Sequence, residues 1–183
     1  MEAMQTARVD DSIVRAQADD LDGFERMIER HQRDVLRLCY AICGDPDRAR
    51  DAAQRTWLAA WRGIGGLRDR DRVRAWLASI AVREARREVR DHRQRAVREL
   101  QVTAIDPAVL DRSVAASATM TADLDLARVL ARLDPDDRAL ITLRYVLGFD
   151  SFEIGAMTGR SASGTRARLA RLLARMRREL EDG

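Results

Sequence analysis

A chain of 183 residues, 46% hydrophobic but only 4% aromatic, has the length for one medium domain or two small ones, around a core that must be aliphatic and alanine-rich. No apolar run approaches the ~20 residues of a membrane span, no leader peptide is visible, and the two cysteines, Cys39 and Cys43, sit side by side on one helical pattern, which disfavours a disulfide and fits buried thiols in a reducing cytoplasm. All 33 basic residues are arginine, with no lysine or asparagine, as a GC-rich coding bias would produce; the net charge is +3, so only the distribution of the arginines carries an argument.

Residues 1–20 are polar and mixed and read as a tail leading into a short helix. From Phe24 onward, Met27, Ile28, His31, Val35, Leu38, Cys39 and Ile42 recur at three and four, the period of a helix with one apolar face. His31 falls on that face and reads as a core or boundary histidine; zinc would need more ligands than the sequence offers nearby. Gly44-Asp45-Pro46 stops this helix and starts the next, with glycine at the C-terminal turn, aspartate as cap and proline in the first turn. The second helix, to about Arg62, turns Ala49, Ala52, Ala53, Trp57, Ala60 and Trp61 inward and Asp51, Gln54, Arg55 and Leu58 outward. A glycine-rich break and the loop from Leu67 to Arg72 precede a third helix from Val73, with Trp76, Leu77, Ile80 and Ala81 as its stripe and Arg83, Arg86, Arg87 and Arg90 on its later turns. Trp76 lies among the stripe residues, which assigns it to the core.

This first bundle, 21–95, is followed by a flexible linker, 96–122. Charge marks the division. Residues 82–98 carry seven arginines and three acids, 99–127 carry five acids and one arginine, and 160–178 carry seven arginines and no acid. In the second bundle, 123–183, Leu124, Leu126, Val129, Leu130 and Leu133 suggest one helix. Asp134-Pro135 opens another with Leu140, Ile141, Leu143, Tyr145 and Val146 on its apolar side, ending at Gly148. Asp150 and Glu153 are spaced as a capping box for a short third helix ending at Thr158-Gly159, and Ser161 can cap the last. On that last helix Leu169, Leu172, Leu173, Met176 and Leu180 form one stripe with Thr165 at its edge, and Arg168, Arg171, Arg175 and Arg178 form a second. A short capped helix, a glycine turn and a helix that starts with small residues follow the helix-turn-helix plan, in which the second helix enters the major groove and arginine reads guanine or grips phosphate. The fold class is therefore all-α, two small bundles joined by a linker, the second carrying a helix-turn-helix. No phosphate-binding loop, metal-ligand cluster or nucleophile–base set is present, so neither an enzyme nor a cofactor or small-molecule substrate is expected.

Residues 133–180 resemble the fourth conserved region of RNA polymerase sigma factors, and 24–95 resemble the second, most tellingly in Asp51-Ala-Ala-Gln54-Arg-Thr-Trp57-Leu-Ala-Ala-Trp61 and Val73-Arg-Ala-Trp76-Leu-Ala-Ser-Ile-Ala-Val-Arg83. With no third-region domain between them, the layout looks like the extracytoplasmic-function, or group IV, sigma factors. The resemblance implies that Asp51, Gln54, Arg55 and Leu58 dock on the β′ clamp helices of core polymerase. It implies that Arg68, Arg70, Arg72, Arg83, Arg86, Arg87 and Arg90 meet the melted −10 strand. Ser161, Ala162, Ser163, Arg166, Arg168, Arg171 and Arg175 would meet the −35 duplex. The β flap and an anti-sigma factor, which can hold such proteins at the membrane, are further implied partners. Arg83 stands where many relatives have asparagine, and Arg160 and Thr165 replace apolar anchors of the usual helix-turn-helix. The competing reading is a helix-turn-helix regulator that acts without polymerase, which would have no need of the first bundle. No long extension follows Leu180, so no added sensory domain is expected.

Overall fold

The computed structural model describes residues 12–102, 129–130 and 132–181, all in helices and short connections. A first helix, α1, covers residues 12–17 and buries Ile13 and Ala16. The chain that reads as a tail is thus partly docked: Gln17 donates from Nε2 to the carbonyls of Ile64 and Leu67, at 3.1 and 2.7 Å. Gly23 makes this possible, because a Cβ there would stand 2.6 Å from Cβ of Arg15.

Helices α2 (Leu21–Cys43), α3 (Pro46–Gly63) and α4 (Val73–Val102) pack pairwise into a three-helix bundle. The junction of α2 and α3 forms as its sequence predicts: Gly44 adopts φ 69 and returns its N–H to Tyr40, and Asp45 accepts from the N–H of Arg48 with Pro46 in the first turn. Ala49, Ala52 and Ala60 are fully buried, so the α3 backbone lies close to its neighbours. Trp57 and Trp61 are only half-buried, each edge-on to Phe24. Trp76 packs against the core, as its place in the stripe suggests. Helix α4 overruns its expected end near residue 95, because 96–102 contain no glycine or proline to stop it. The remainder of the expected linker, with Leu124 and Leu126, lies outside the described residues; Val129 and Leu130 are helical.

The second bundle comprises α5 (Pro135–Ile141), a π-helical turn (Thr142–Val146), α6 (Ser151–Thr158) and α7 (Ala162–Glu181). The expected apolar side of the second bundle's helix holds for Leu140, Ile141 and Leu143 and fails for Tyr145 and Val146, which are 55% and 54% exposed. The wide turn, closed by the Leu147 N–H on the Thr142 carbonyl at 2.9 Å, rotates those two side chains into solvent. It also delivers Leu147 and Phe149 to the first bundle, where with Val35, Leu38, Leu77 and Ala78 they close a small cleft over His31. The two bundles therefore pack together, α2 against α5 and α4 against α6.

Burial drives the His31 imidazole down to about 4, helped by the Arg30 and Arg74 charges and opposed by Asp34. Its Nε2 has no hydrogen-bond partner among the described residues. An unfolded chain takes that proton near the ordinary value of 6.5, so it binds more protons than the folded chain between there and about 4. Stability contributed by neutral His31 is complete above that window and declines as pH falls through it, by about 2 kcal/mol from pH 7 to pH 5. Chemical denaturation across that range is expected to show this slope, and His31→Gln to flatten it; an equal slope in the variant would assign the acid sensitivity elsewhere.

Candidate nucleic-acid and polymerase interfaces

On α3, Asp51, Gln54 and Leu58 project together into solvent at i, i+3 and i+7, and Leu58 is 51% exposed despite being apolar. Arg55 departs from that group: its guanidinium turns inward to the carboxylate of Glu88 on α4. Glu88, 3% exposed, also accepts from Arg95 at 3.2 Å, so two cations flank one buried acid. Sequence reasoning missed Glu88, although an acid two turns after the stripe residue Ala81 was a legible sign of a buried pair.

The loop from Leu67 to Arg72 exposes Arg68, Arg70 and Arg72, with Asp69 capping the short 3₁₀ turn Arg70–Arg72. Arg70 donates to Oε1 of Gln17 at 3.0 Å, so α1 helps set this loop. Farther along, Arg83, Arg87 and Arg90 form one exposed stripe on α4, Arg87 lying 3.8 Å from Asp91. Arg86 points elsewhere, to Oδ1 of Asp136 in the second bundle, at 2.8 Å.

In the second bundle, both halves of the capping box between Asp150 and Glu153 are formed, and Gly159 ends α6 at φ 73. Gly155 is required where α6 meets the turn: a Cβ would lie 2.6 Å from the Arg160 carbonyl. Ser161 accepts from the N–H of Gly164 at 3.1 Å, and buried Thr165 donates from Oγ1 to the Ser161 carbonyl at 3.0 Å. Thr165 thereby fills the anchoring position with a satisfied hydroxyl. Ser161 and Ser163 are exposed beside half-buried Ala162, leaving a low-relief end on the helix. Leu169, Leu172 and Met176 are buried, whereas Leu173 and Leu180, expected in the same stripe, are 38% and 43% exposed.

The four α7 arginines in the candidate set do not behave alike. Arg166 and Arg171 are exposed; Arg175 is exposed and 3.6 Å from Glu179 one turn on. Arg168 is drawn onto α5, with Nε donating to Asp137 at 2.5 Å and Nη2 to Asp134 at 3.3 Å. The Asp137 hydrogen bond holds the Arg168 guanidinium above its ordinary range. This arginine ties α7 to the bundle and is not presented with the other three.

Two models of one family match the chain in order: Sigma-70 region 2 over residues 27–95 and Sigma-70 region 4 over residues 123–176. The sigma factor BldN of Streptomyces coelicolor, of the extracytoplasmic-function group, is 31% identical over 182 residues, covering 93% of this chain and 66% of its own length. The chain belongs to the extracytoplasmic-function sigma factors. RfaY of Xanthomonas campestris, described as a probable RNA polymerase sigma factor, is 28% identical over 161 residues, covering 86% of this chain and 40% of its own length. The chain thus spans somewhat under two thirds of one of these relatives and less than half of the other. Among solved structures, the sigma factor RpoE of Bartonella quintana, in complex with the anti-sigma factor NepR, superimposes with a TM-score of 0.70 at 22% identity, covering 88% of this chain and 98% of that one. That likeness shows the shared fold.

In sigma-factor terms the first bundle is region 2 and the second is region 4. Among the described residues no group of acids, histidines and cysteines is placed to hold a metal ion, and no helix is long and apolar enough to cross a membrane. Cys39 and Cys43 are free and buried, and burial raises their thiols to about 12 and about 11.

Proposed function

We propose that this chain directs RNA polymerase core to specific promoters, region 4 reading the −35 duplex and region 2 capturing the melted −10 strand. The observation that carries the reading is one chain holding both an outward Asp51, Gln54 and Leu58 stripe and a glycine-turned, arginine-bearing helix-turn-helix. A DNA-binding regulator acting alone would need only the second. The α3 stripe suits a helical partner with a complementary polar and apolar face, the β′ clamp helices. The exposed Tyr145, Val146 and Phe152 of region 4 give an apolar partner such as the β flap a foothold.

Opening the duplex costs about 1.4 kcal/mol of stacking per step, and with no motor of its own the protein must bind the separated strand better than the paired one. The loop arginines Arg68, Arg70 and Arg72 and the α4 stripe of Arg83, Arg87 and Arg90 offer the cations that the strand's phosphates need. At region 4, Ser161, Ala162 and Ser163 allow close groove approach, and Arg166, Arg171 and Arg175 reach bases or phosphates. The protein acts in the cytoplasm, and an anti-sigma factor is its expected inhibitor.

Run-off transcription with purified core enzyme tests this. Initiation at a defined promoter is expected only when the chain is added. The Asp51→Ala, Gln54→Ala double variant is expected to lose core affinity while its melting stays within about 0.5 kcal/mol of wild type, since both side chains are exposed. Promoter-specific DNA binding that core enzyme neither requires nor improves would replace this function with that of a free-standing regulator.

A further inference from the structure

A loop with two glycines at its tip is hard to hold in one shape. Glycine loses more backbone freedom on ordering than any other residue, and neither Gly65 nor Gly66 has anything within 4 Å of where a Cβ would stand. This tip joins buried Ile64 to the exposed arginine loop. The carbonyls on its two sides are gathered by one side chain: Nε2 of Gln17 donates to Ile64 at 3.1 Å and to Leu67 at 2.7 Å. Within the tip itself, the Leu67 N–H reaches the Ile64 carbonyl at 3.1 Å. The other end of the same amide, Oε1, accepts from Nε of Arg70 at 3.0 Å. Both the donor and the acceptor end of Gln17 are thus engaged by one loop.

Gln17 can do this only because α1 is itself held. Ile13 and Ala16 are buried, and the chain turns from α1 into α2 through Asp19 at φ 60. The Asp20 N–H returns to the Arg15 carbonyl at 3.1 Å, and the Arg15 guanidinium pairs with the Asp20 carboxylate. Gly23 lets α1 lie directly on the start of α2. A side chain 47 to 53 residues upstream therefore shapes the loop.

The same contact orients one of the candidate −10 cations. The Nε of Arg70 is taken by Gln17, and its two terminal nitrogens make no hydrogen bond among the described residues, so they remain for a phosphate. Arg72, in contrast, lies 3.6 Å from Asp69 within the loop.

We propose that Gln17 is the positioning residue of the strand-capture loop: by tying the carbonyls on both sides of Gly65-Gly66 and the guanidinium of Arg70 to α1, it holds the loop in the form that receives the melted −10 strand. This rests on the assignment of that loop to the −10 strand made above. A loop shaped in advance need not be ordered when the strand arrives, so its conformational entropy is lost on folding and not on capture.

The test compares the full-length chain with Gln17→Leu, which keeps the bulk and removes all three hydrogen bonds. The templates are the promoter identified by run-off transcription and the same promoter with its −10 bases substituted. Gln17→Leu is expected to keep its helical circular dichroism, core affinity and −35 duplex binding. It should initiate about tenfold less at limiting concentration, the scale of ordering one backbone residue, and lose most of its preference for the original −10 bases. Trypsin cleavage after Arg68, identified by mass, should quicken by a similar factor, because the freed tip opens more often. Adding Gly66→Ala, for which there is open space, restricts the loosened tip and should return part of both losses. A contact that merely stabilised the bundle would give no such recovery. The proposal is overturned if Gln17→Leu initiates and discriminates as the wild type does, or if core affinity and stability fall together while the −10 preference is kept. Should Gln17→Leu lose helical signal, Gln17→Glu, which keeps the acceptor for Arg70 and lacks the donors, decides: unchanged −10 preference and unchanged cleavage reject the proposal. Failure of the wild type to initiate with core at all would remove the sigma-factor reading, and the trypsin comparison would still decide whether Gln17 holds the loop.

Discussion

Glu88→Ala is expected to lower the stability of region 2 by about 3 kcal/mol, the scale of breaking a buried ion pair by removing one partner. The carboxylate is buried between Arg55 and Arg95, and Nε of Arg55 is already without a partner among the described residues. Removing the acid strands the inward-turned Arg55 guanidinium, while Arg95, 58% exposed, simply returns to water. The expected fall in thermal midpoint is about 10 °C. Glu88→Gln, which keeps the shape and one acceptor, should recover part of the loss. The effect reaches the proposed function through Arg55, which sits between Asp51 and Leu58 on α3: a released guanidinium changes the face proposed to meet core polymerase. A Glu88→Ala protein that melts within about 1 kcal/mol of wild type would mean that water already satisfies the cluster.

The second large effect separates two arginines that share one sequence stripe. Arg168→Ala is expected to destabilise region 4 by about 3 kcal/mol, because it leaves the carboxylate of Asp137, 6% exposed, without its cation. Arg171→Ala, on an exposed position, should change stability by less than about 0.5 kcal/mol. In DNA binding the order reverses. Loss of Arg171 should reduce the slope of log affinity against log salt by about 0.9, one phosphate contact. Loss of Arg168, measured on the folded fraction, should leave that slope unchanged. Melting curves and a salt titration on duplex containing the −35 element check both variants. A stable Arg168→Ala protein with a reduced salt slope would return Arg168 to the groove and break the assignment made from its ion pairs.

These two cases show where the sequence is informative. Local signals determine much of this protein, because they act within a few residues. Gly44-Asp45-Pro46, the Asp134-Pro135 start, the Asp150–Glu153 capping box and the Ser161 cap each specify a helix end through backbone hydrogen bonds that need no distant partner, and all are formed. The apolar period along α2, α4 and α7 likewise names most of the buried residues, and the order of motifs names the family. Periodicity fails where the backbone leaves the regular helix: the π turn at Thr142–Val146 takes Tyr145 and Val146 off the face their spacing predicts. Charge at a position says nothing of what a long side chain reaches. Arg55, Arg86, Arg138 and Arg168 share an alphabet with Arg83 and Arg171, yet each of the first four meets an acceptor between 31 and 97 residues away in the chain. Which arginines remain for nucleic acid is therefore a property of the packed bundles. Helix ends and apolar faces are decided by neighbours in sequence, whereas the partner of a flexible cation is decided only once distant carboxylates and carbonyls have been brought within its reach.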